Sequence, residues 1–335
     1  MRSQSFATKV LATAFLSLGV LTSKAVCADF QVGLLLDKAG KDDASFNASA
    51  FRGLGRAEKE LGIKSKTVEA KDAAAAEGLL RSLAAKKFDL LVAIGFSQAT
   101  AVRNVATAMP TTKFVLVDSE VKLPNVTSVM FAEHEGSFLM GAIAAMKSKS
   151  ANVGFIGGME VPLIRRFGMG FEAGAKYVNP AVKVQAAYIG VTGDAFNNPP
   201  KARELALLQN SQGADVIFHA AGASGKGLFD AAEEKKFFAI GVDSNQNGVK
   251  PGRVLTSMLK SVDLAVFEAI KQAKEGKLKG GETVNHGIAN GGVDMAMDAN
   301  NKDIFTSDMI KKAEDIKAGI KSGKIKVPDY YTVKK

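Results

Sequence analysis

The sequence predicts an α/β protein built as two doubly wound parallel-sheet lobes around a ligand cleft. Three observations carry this. Short apolar runs rich in β-branched residues alternate with helical patterns of about 10–15 residues, which is how βαβ units read. The alternation restarts near residue 150. The length of 335 residues suits about two domains.

Taken in order, Phe30 to Leu36 is an apolar strand, and Phe46 to Leu61 repeats apolar residues at helical spacing. Val68 to Ala70 is a weak strand, Ala73 to Ala85 an Ala/Leu helix, Leu90 to Ile94 a buried strand. Gln98 to Met109 is a helix and Lys113 to Val117 a strand. A helix from Glu135 to Lys147 carries the chain to the second set. There, strands at Val153–Ile156, Lys183–Val191, Val216–His219 and Phe238–Val242 enclose helices at Ile164–Val178, Ala202–Gln212 and Gly227–Lys235. Leu255–Leu259 and the helix Val262–Glu275 cross back to finish both lobes. A helix at Ser307–Lys321 and an extended piece at Pro328–Thr332 close the chain. The expected division is 1–28 as a signal peptide, 29–132 with about 255–290 as the first lobe, and 133–254 with about 291–335 as the second.

Composition narrows the function. With 47% hydrophobic and 23% charged residues the chain is globular, not disordered. A single Cys excludes a disulfide framework or a Cys-based zinc site, and three scattered His leave little for metal chemistry. No metal or cofactor is expected. The net charge of +10 comes from lysines interspersed with acids, which reads as solvated surface and not as a nucleic-acid face. Only Lys311 to Lys335 is denser.

Residues 1–28 read as an export leader: Arg2 and Lys9, then the apolar run Val10–Leu21, then small residues. Two processing readings stay open. Val26 and Ala28 fit cleavage after Ala28, which leaves Asp29 first, whereas Cys27 allows a lipid anchor although Lys24-Ala25-Val26 matches a lipoprotein signal poorly. Either way the protein is exported to the periplasm or cell envelope, and no later apolar run reaches the ~20 residues of a spanning helix. Without the leader's three cations the charge is +7.

Enzymatic signatures are missing. The loop Gly222–Gly227 fails as a phosphate loop because Ala220 and Gly227 replace its first Gly and its hydroxyl residue. No nucleophile elbow and no dinucleotide Gly motif occur. The chain is expected not to be an enzyme. Open α/β sheets bind ligands in loops after the strands' C-terminal ends, so residues there are the candidates. They are Asp37 after the first strand, then Phe46 and Asn47 opening the first long helix, where a Phe is hard to explain as a cap. Asp118 and Asp243 end matching Val-Asp-Ser segments, one per lobe; each either caps the next helix or accepts hydrogen bonds from a ligand. Lys260 balances them. Phe96, Phe131, Phe196 and Gly222 complete the set, Phe131 being equally well explained as core. A planar ring between two aromatics, with polar groups at its rim, is what they suit.

These residues lie in a recognisable order. Asp37…Ser45-Phe46-Asn47, Val117-Asp118-Ser119, Glu135-Gly136-Ser137-Phe138-Leu139-x-Gly141, Val153-Gly154-Phe155-Ile156-Gly157-Gly158, Gly170-Phe171-x-Ala173-Gly174-Ala175 and Ile240-Gly241-Val242-Asp243 resemble the basic membrane protein family. Its members are substrate-binding proteins of ABC transporters, purine nucleoside receptors among them. The resemblance covers roughly Phe30 to Val327. It implies a type I periplasmic-binding fold, a monomer that closes on a small molecule and hands it to an inner-membrane permease. It also implies that Phe46 and Phe196 stack on a base, that Asn47 and Asp118 bond its edge, and that Asp243 and Lys260 hold ribose hydroxyls near Gly222. Asn198 departs from the family's expected Asp. A riboflavin, sugar or signalling-molecule receptor of the same fold is the alternative; a surface adhesin acting through its basic face is a third reading.

Overall fold

The computed structural model describes residues 29–333; the leader and Cys27 lie outside them. Two six-stranded sheets form. The first contains β1 (Gln31–Leu36), β2 (Lys64–Glu69), β3 (Leu90–Ile94), β4 (Lys113–Val117), β5 (Val126–Phe131) and β11 (Thr283–His286), ordered β11-β5-β4-β3-β1-β2. The second contains β6 (Asn152–Met159), β7 (Lys183–Gly190), β8 (Val216–Ala220), β9 (Phe238–Asp243), β10 (Val254–Lys260) and β12 (Val293–Met295), ordered β12-β10-β9-β8-β6-β7. The two orders correspond strand for strand. Every pairing is parallel except β10 with β12.

Parallel sheets need both faces covered. In the first lobe α2 (Ala73–Ala85) and α3 (Ala99–Ala108) cover one face, and α1 (Phe46–Leu61) with α8 (Val262–Lys274) the other. The strand alternation shows it: Leu34, Leu36, Val92 and Ile94 join one apolar cluster, while Leu35, Leu91 and Ala93 join another. In the second lobe α4 (Glu133–Lys147) packs on α5 (Pro162–Val178) and α9 (Ser307–Lys321), and α6 (Pro199–Ser211) packs on α7 (Gly225–Lys235). The glycines of the 135–141 and 170–175 motifs make the α4–α5 crossing close: a Cβ on Gly141 would collide with the Phe171 carbonyl, and one on Gly174 with that of Phe138. Among the described residues no helix is long and apolar enough to cross a membrane.

The segment 255–290, expected in the first lobe as one piece, divides. Val254–Lys260 pairs with β9 in the second sheet, because Ser257 Oγ accepts from Gln246 N (2.9 Å) and Thr256 Oγ1 donates to Ala296 O (2.8 Å). α8 then packs on α1, and β11 pairs with β5. The chain therefore passes between the lobes three times: after Phe131, after Lys260, and between β11 and β12. The expected extended piece at Pro328–Thr332 is a turn, with Thr332 N donating to Asp329 O at 2.9 Å.

Candidate functional site

Between the lobes lies a cavity partly open to solvent. Nine of the ten residues singled out above line it: Asp37, Phe46, Asn47, Phe96, Asp118, Phe196, Gly222, Asp243 and Lys260. Phe131 does not. Its ring is 1% exposed, stacked on His286 at 5.2 Å and lying under the Lys260 ammonium at 4.9 Å, so it backs the wall and does not face the cavity.

The first lobe builds its wall by capping. The Asp43 carboxylate accepts from the backbone N–H of Ser45, Asn47 and Ala48 at 2.8–2.9 Å, which satisfies the orphan donors opening α1. Ser45 is thereby released from capping, and Phe46 is left in the first helical position facing the cavity. The Asn47 amide is fixed between Asp37 Oδ1 (2.7 Å) and Asp43 Oδ2 (3.0 Å). Burial pushes the Asp37 carboxyl above its usual range, offset by the Asn47 hydrogen bond. Asp43 was absent from the sequence candidates, and a helix-capping Asp looks the same whether or not a cavity lies beside it.

Asp118 and Asp243 occupy the same position in the two sheets, beyond β4 and at the end of β9, and both adopt left-handed backbone (φ 68° and 63°). Such a conformation costs a non-glycine residue on the order of 1–3 kcal/mol, so a carboxylate is held where glycine would fit more easily. Neither caps a helix. Asp118 Oδ2 accepts from Lys260 Nζ of the other lobe at 2.5 Å, while its Oδ1 is buried without a partner. Asp243 Oδ2 accepts from Ser45 Oγ, again across the lobes, at 2.5 Å. Lys260 ends β10 beside Asp243 and is only 2% exposed, with Nζ also 3.1 Å from Glu133 Oε1 and within 5.0 Å of the Phe46 ring centre.

The electrostatics follow from burial. Desolvation raises the Asp118 and Glu133 carboxyls and pushes that of Asp243 up to about 6, each opposed by the nearby ammonium. Burial alone would lower Lys260, but Asp118, Glu133 and Asp243 outweigh it and hold the ammonium charged well above the usual range. His219, buried at the end of β8, is pushed down to about 4 by burial and is neutral, its Nε2–H donating to Gln246 Oε1 at 3.2 Å.

The second lobe's wall is mainly apolar: Leu163, Ile164 and Phe167 from the start of α5, the backbone of Ala220–Gly222, and Phe196. The Phe196 ring meets Phe96 of the first lobe edge-on at 6.2 Å, closing the cavity's outer side. Asn198 lies behind it as the cap of α6, accepting from Lys201 N at 3.2 Å, so its difference from the expected Asp falls on a helix end and not on the cavity. Leu163, Ile164 and Phe167 were missed because the apolar face of an amphipathic helix gives no sign of which turn faces a cleft.

An interlobe cavity with one strand-end acid from each sheet is the arrangement of a solute receptor, and comparison with known proteins decides which kind. A family profile described as "ABC transporter substrate-binding protein PnrA-like" matches residues 30–330. The chain belongs to this family. It is 35% identical over 329 residues to the ABC transporter nucleoside-binding protein BmpA of Lactococcus lactis, covering 92% of this chain and 91% of that one. It is 36% identical over 279 residues to an uncharacterized lipoprotein of Pyrococcus horikoshii, covering 78% and 68%. Among solved structures, a solute-binding protein of an ABC transporter system from Aeropyrum pernix superposes with a TM-score of 0.82 at 28% identity, over 89% of this chain and 94% of that one. The protein is thus a substrate-binding component of an ABC transporter, with a small-molecule ligand and a permease as partner. The fold is the type I periplasmic-binding fold.

Proposed function

We propose that the interlobe cavity captures a purine nucleoside and that the closed, loaded form delivers it to the permease. One observation carries this reading: aromatic rings from both lobes, Phe46 and Phe196, line a cavity whose rim holds four carboxylates, one amide and one ammonium. The polar groups fall into two sets, Asp37 hydrogen-bonded to Asn47, and Asp118 hydrogen-bonded to Lys260 with Asp243 on the adjoining strand, which matches a flat base carrying N–H groups joined to a sugar carrying hydroxyls. The Lactococcus relative's nucleoside-binding name supports the same class. Closure replaces water around these groups by cross-lobe contacts and presents a surface peculiar to the loaded state. The leader and the lipoprotein relatives support export to the cell envelope, with Cys27 as the anchoring point if it is lipidated.

The test is calorimetric titration of the chain from Asp29, refolded to strip carried-over ligand, with adenosine, guanosine, inosine, uridine, riboflavin and ribose. Submicromolar binding of purine nucleosides, lost in Asp118→Ala and Asp243→Ala, is the expected result. Binding of riboflavin or ribose alone would change the substrate and keep the receptor, and no heat from any of the six would sink the nucleoside assignment.

A further inference from the structure

Lys260 and Asp118 are the inner end of a longer string of charges. Lys260 lies between Asp118 and Glu133. Glu133, wholly buried at the start of α4, is ion-paired through its other oxygen to Arg166 of α5. Arg166 is 5% exposed and holds Asp329 of the C-terminal tail bidentately, Nε to Oδ1 at 2.8 Å and Nη2 to Oδ2 at 3.0 Å. The signs alternate from the cavity wall to the tail: carboxylate, ammonium, carboxylate, guanidinium, carboxylate. The Tyr331 ring covers the guanidinium at 4.4 Å and shields it from water.

This string also joins the lobes. Arg166 of the second lobe donates from Nη1 to the carbonyl of Phe131, the last residue of β5 in the first, at 2.7 Å. That carbonyl lies at one of the three points where the chain passes between lobes. Asp329 and Tyr331 line the groove between lobes that also reaches Asp118. Each cation in the string is shared by two carboxylates, so removing the outermost one redistributes the rest. Arg166 then has only Glu133 as its counter-ion and draws it away from Lys260.

We propose that Asp329 is a positioning residue for the ligand cavity: through Arg166 and Glu133 it holds Lys260 and Asp118 in place, and the attachment of the C-terminal tail sets ligand affinity and lobe closure. The affinity half rests on the nucleoside reading above; the closure half does not. Asp329 is not among the residues lining the cavity, so its effect travels through three ion pairs, Asp329–Arg166, Arg166–Glu133 and Glu133–Lys260, and not through contact.

The test compares Asp329→Ala, Asp329→Glu and, as a control on the same tail, the exposed Lys326→Ala. Purine nucleoside affinity is read by calorimetry, the unliganded unfolding midpoint by thermal melting, and the unliganded radius of gyration by small-angle scattering. Asp329→Ala is expected to raise Kd about tenfold, the size of effect seen for coupled residues outside a site. Asp329→Glu should restore most of it, and Lys326→Ala should match the unsubstituted protein. A folded Asp329→Ala chain that binds as tightly as the original, or a Glu variant no better than Ala, overturns the positioning role. If the unsubstituted chain binds no nucleoside, the nucleoside reading has failed and scattering still decides the tail's part. A larger radius for Asp329→Ala supports it, and equal radii overturn it.

Discussion

The two lobes repeat one another strand for strand, yet their cleft walls differ. In the first, the loops after β1 and β4 and the start of α1 present side-chain acids and an amide: Asp37, Asp43, Asn47 and Asp118. In the second, equivalent loops present backbone at Ala220–Gly222 and the apolar start of α5, and the charged groups are Asp243 and Lys260 alone. The end of β5 carries Phe131 where the end of β10 carries Lys260. The difference teaches how a duplicated scaffold builds one site. Neither lobe satisfies its own strand-end acid: Asp118 is paired by Lys260 of the second lobe, and Asp243 by Ser45 of the first. Closure and charge satisfaction are then the same event.

The largest effect should come from breaking the exchange at its centre. Lys260→Met leaves Asp118 and Glu133 buried without their shared cation, and orphaning a buried charge costs about 3–5 kcal/mol. Denaturant unfolding of the unliganded protein measures it. The companion Asp118→Asn/Lys260→Met should recover part of the loss, since a removed pair is cheaper than a broken one. A single variant as stable as the original would mean that the lobes do not depend on each other's charges.

Asp243 distinguishes the two acids by pH. Its carboxyl titrates near 6 in the folded chain against about 4 in an unfolded one, so the folded state binds the proton more tightly between those values. Stability from this group therefore rises as pH falls through 6 and is lost as pH rises, with a full span of about 3 kcal/mol. Ligand binding runs the other way, because protonation turns a charged acceptor for a ligand hydroxyl into a weaker neutral one, and affinity should fall below pH 6. Asp243→Asn should flatten the stability difference over pH 4–7. An unchanged pH slope in that variant would assign the titration to another carboxyl.

The aromatic walls come next. Phe46→Ala and Phe196→Ala should each weaken a stacked base by about 1–3 kcal/mol, read by calorimetry. Phe131→Leu, behind the wall, should affect stability more than affinity. That contrast bears on what the sequence could tell. Strand and helix order, the twofold restart and the strand-end acids were legible because periodicity and turn chemistry are local. The lobe assignment of β10 was not, since strand pairing between distant segments leaves no local mark, and β11 and β12 are too short to register. Phe131 was ambiguous because a residue ending a strand can turn to either face. Glu133 was invisible for a related reason: beside His134 and Glu135 it reads as a solvated helix start, and only the fold buries it against Lys260 and Arg166.

The smallest effect sharpens the comparison most. Lys38 and Asp194 also join the lobes, at the cleft mouth, and their ion pair is 2.5 Å long, the same as that of Lys260 and Asp118. What differs is water: the outer pair's side chains are 47% and 65% exposed, the inner pair's 2% and 5%. In water the Coulomb attraction is weak, screened by salt and offset by the entropy of holding two long side chains. Lys38→Ala should leave the unfolding midpoint where it is and speed ligand release only slightly, with even that difference vanishing at high salt. If it instead matched Lys260→Met, distance alone would govern these contacts and burial would not, and the dependence of each lobe on the other's buried charges would lose its basis.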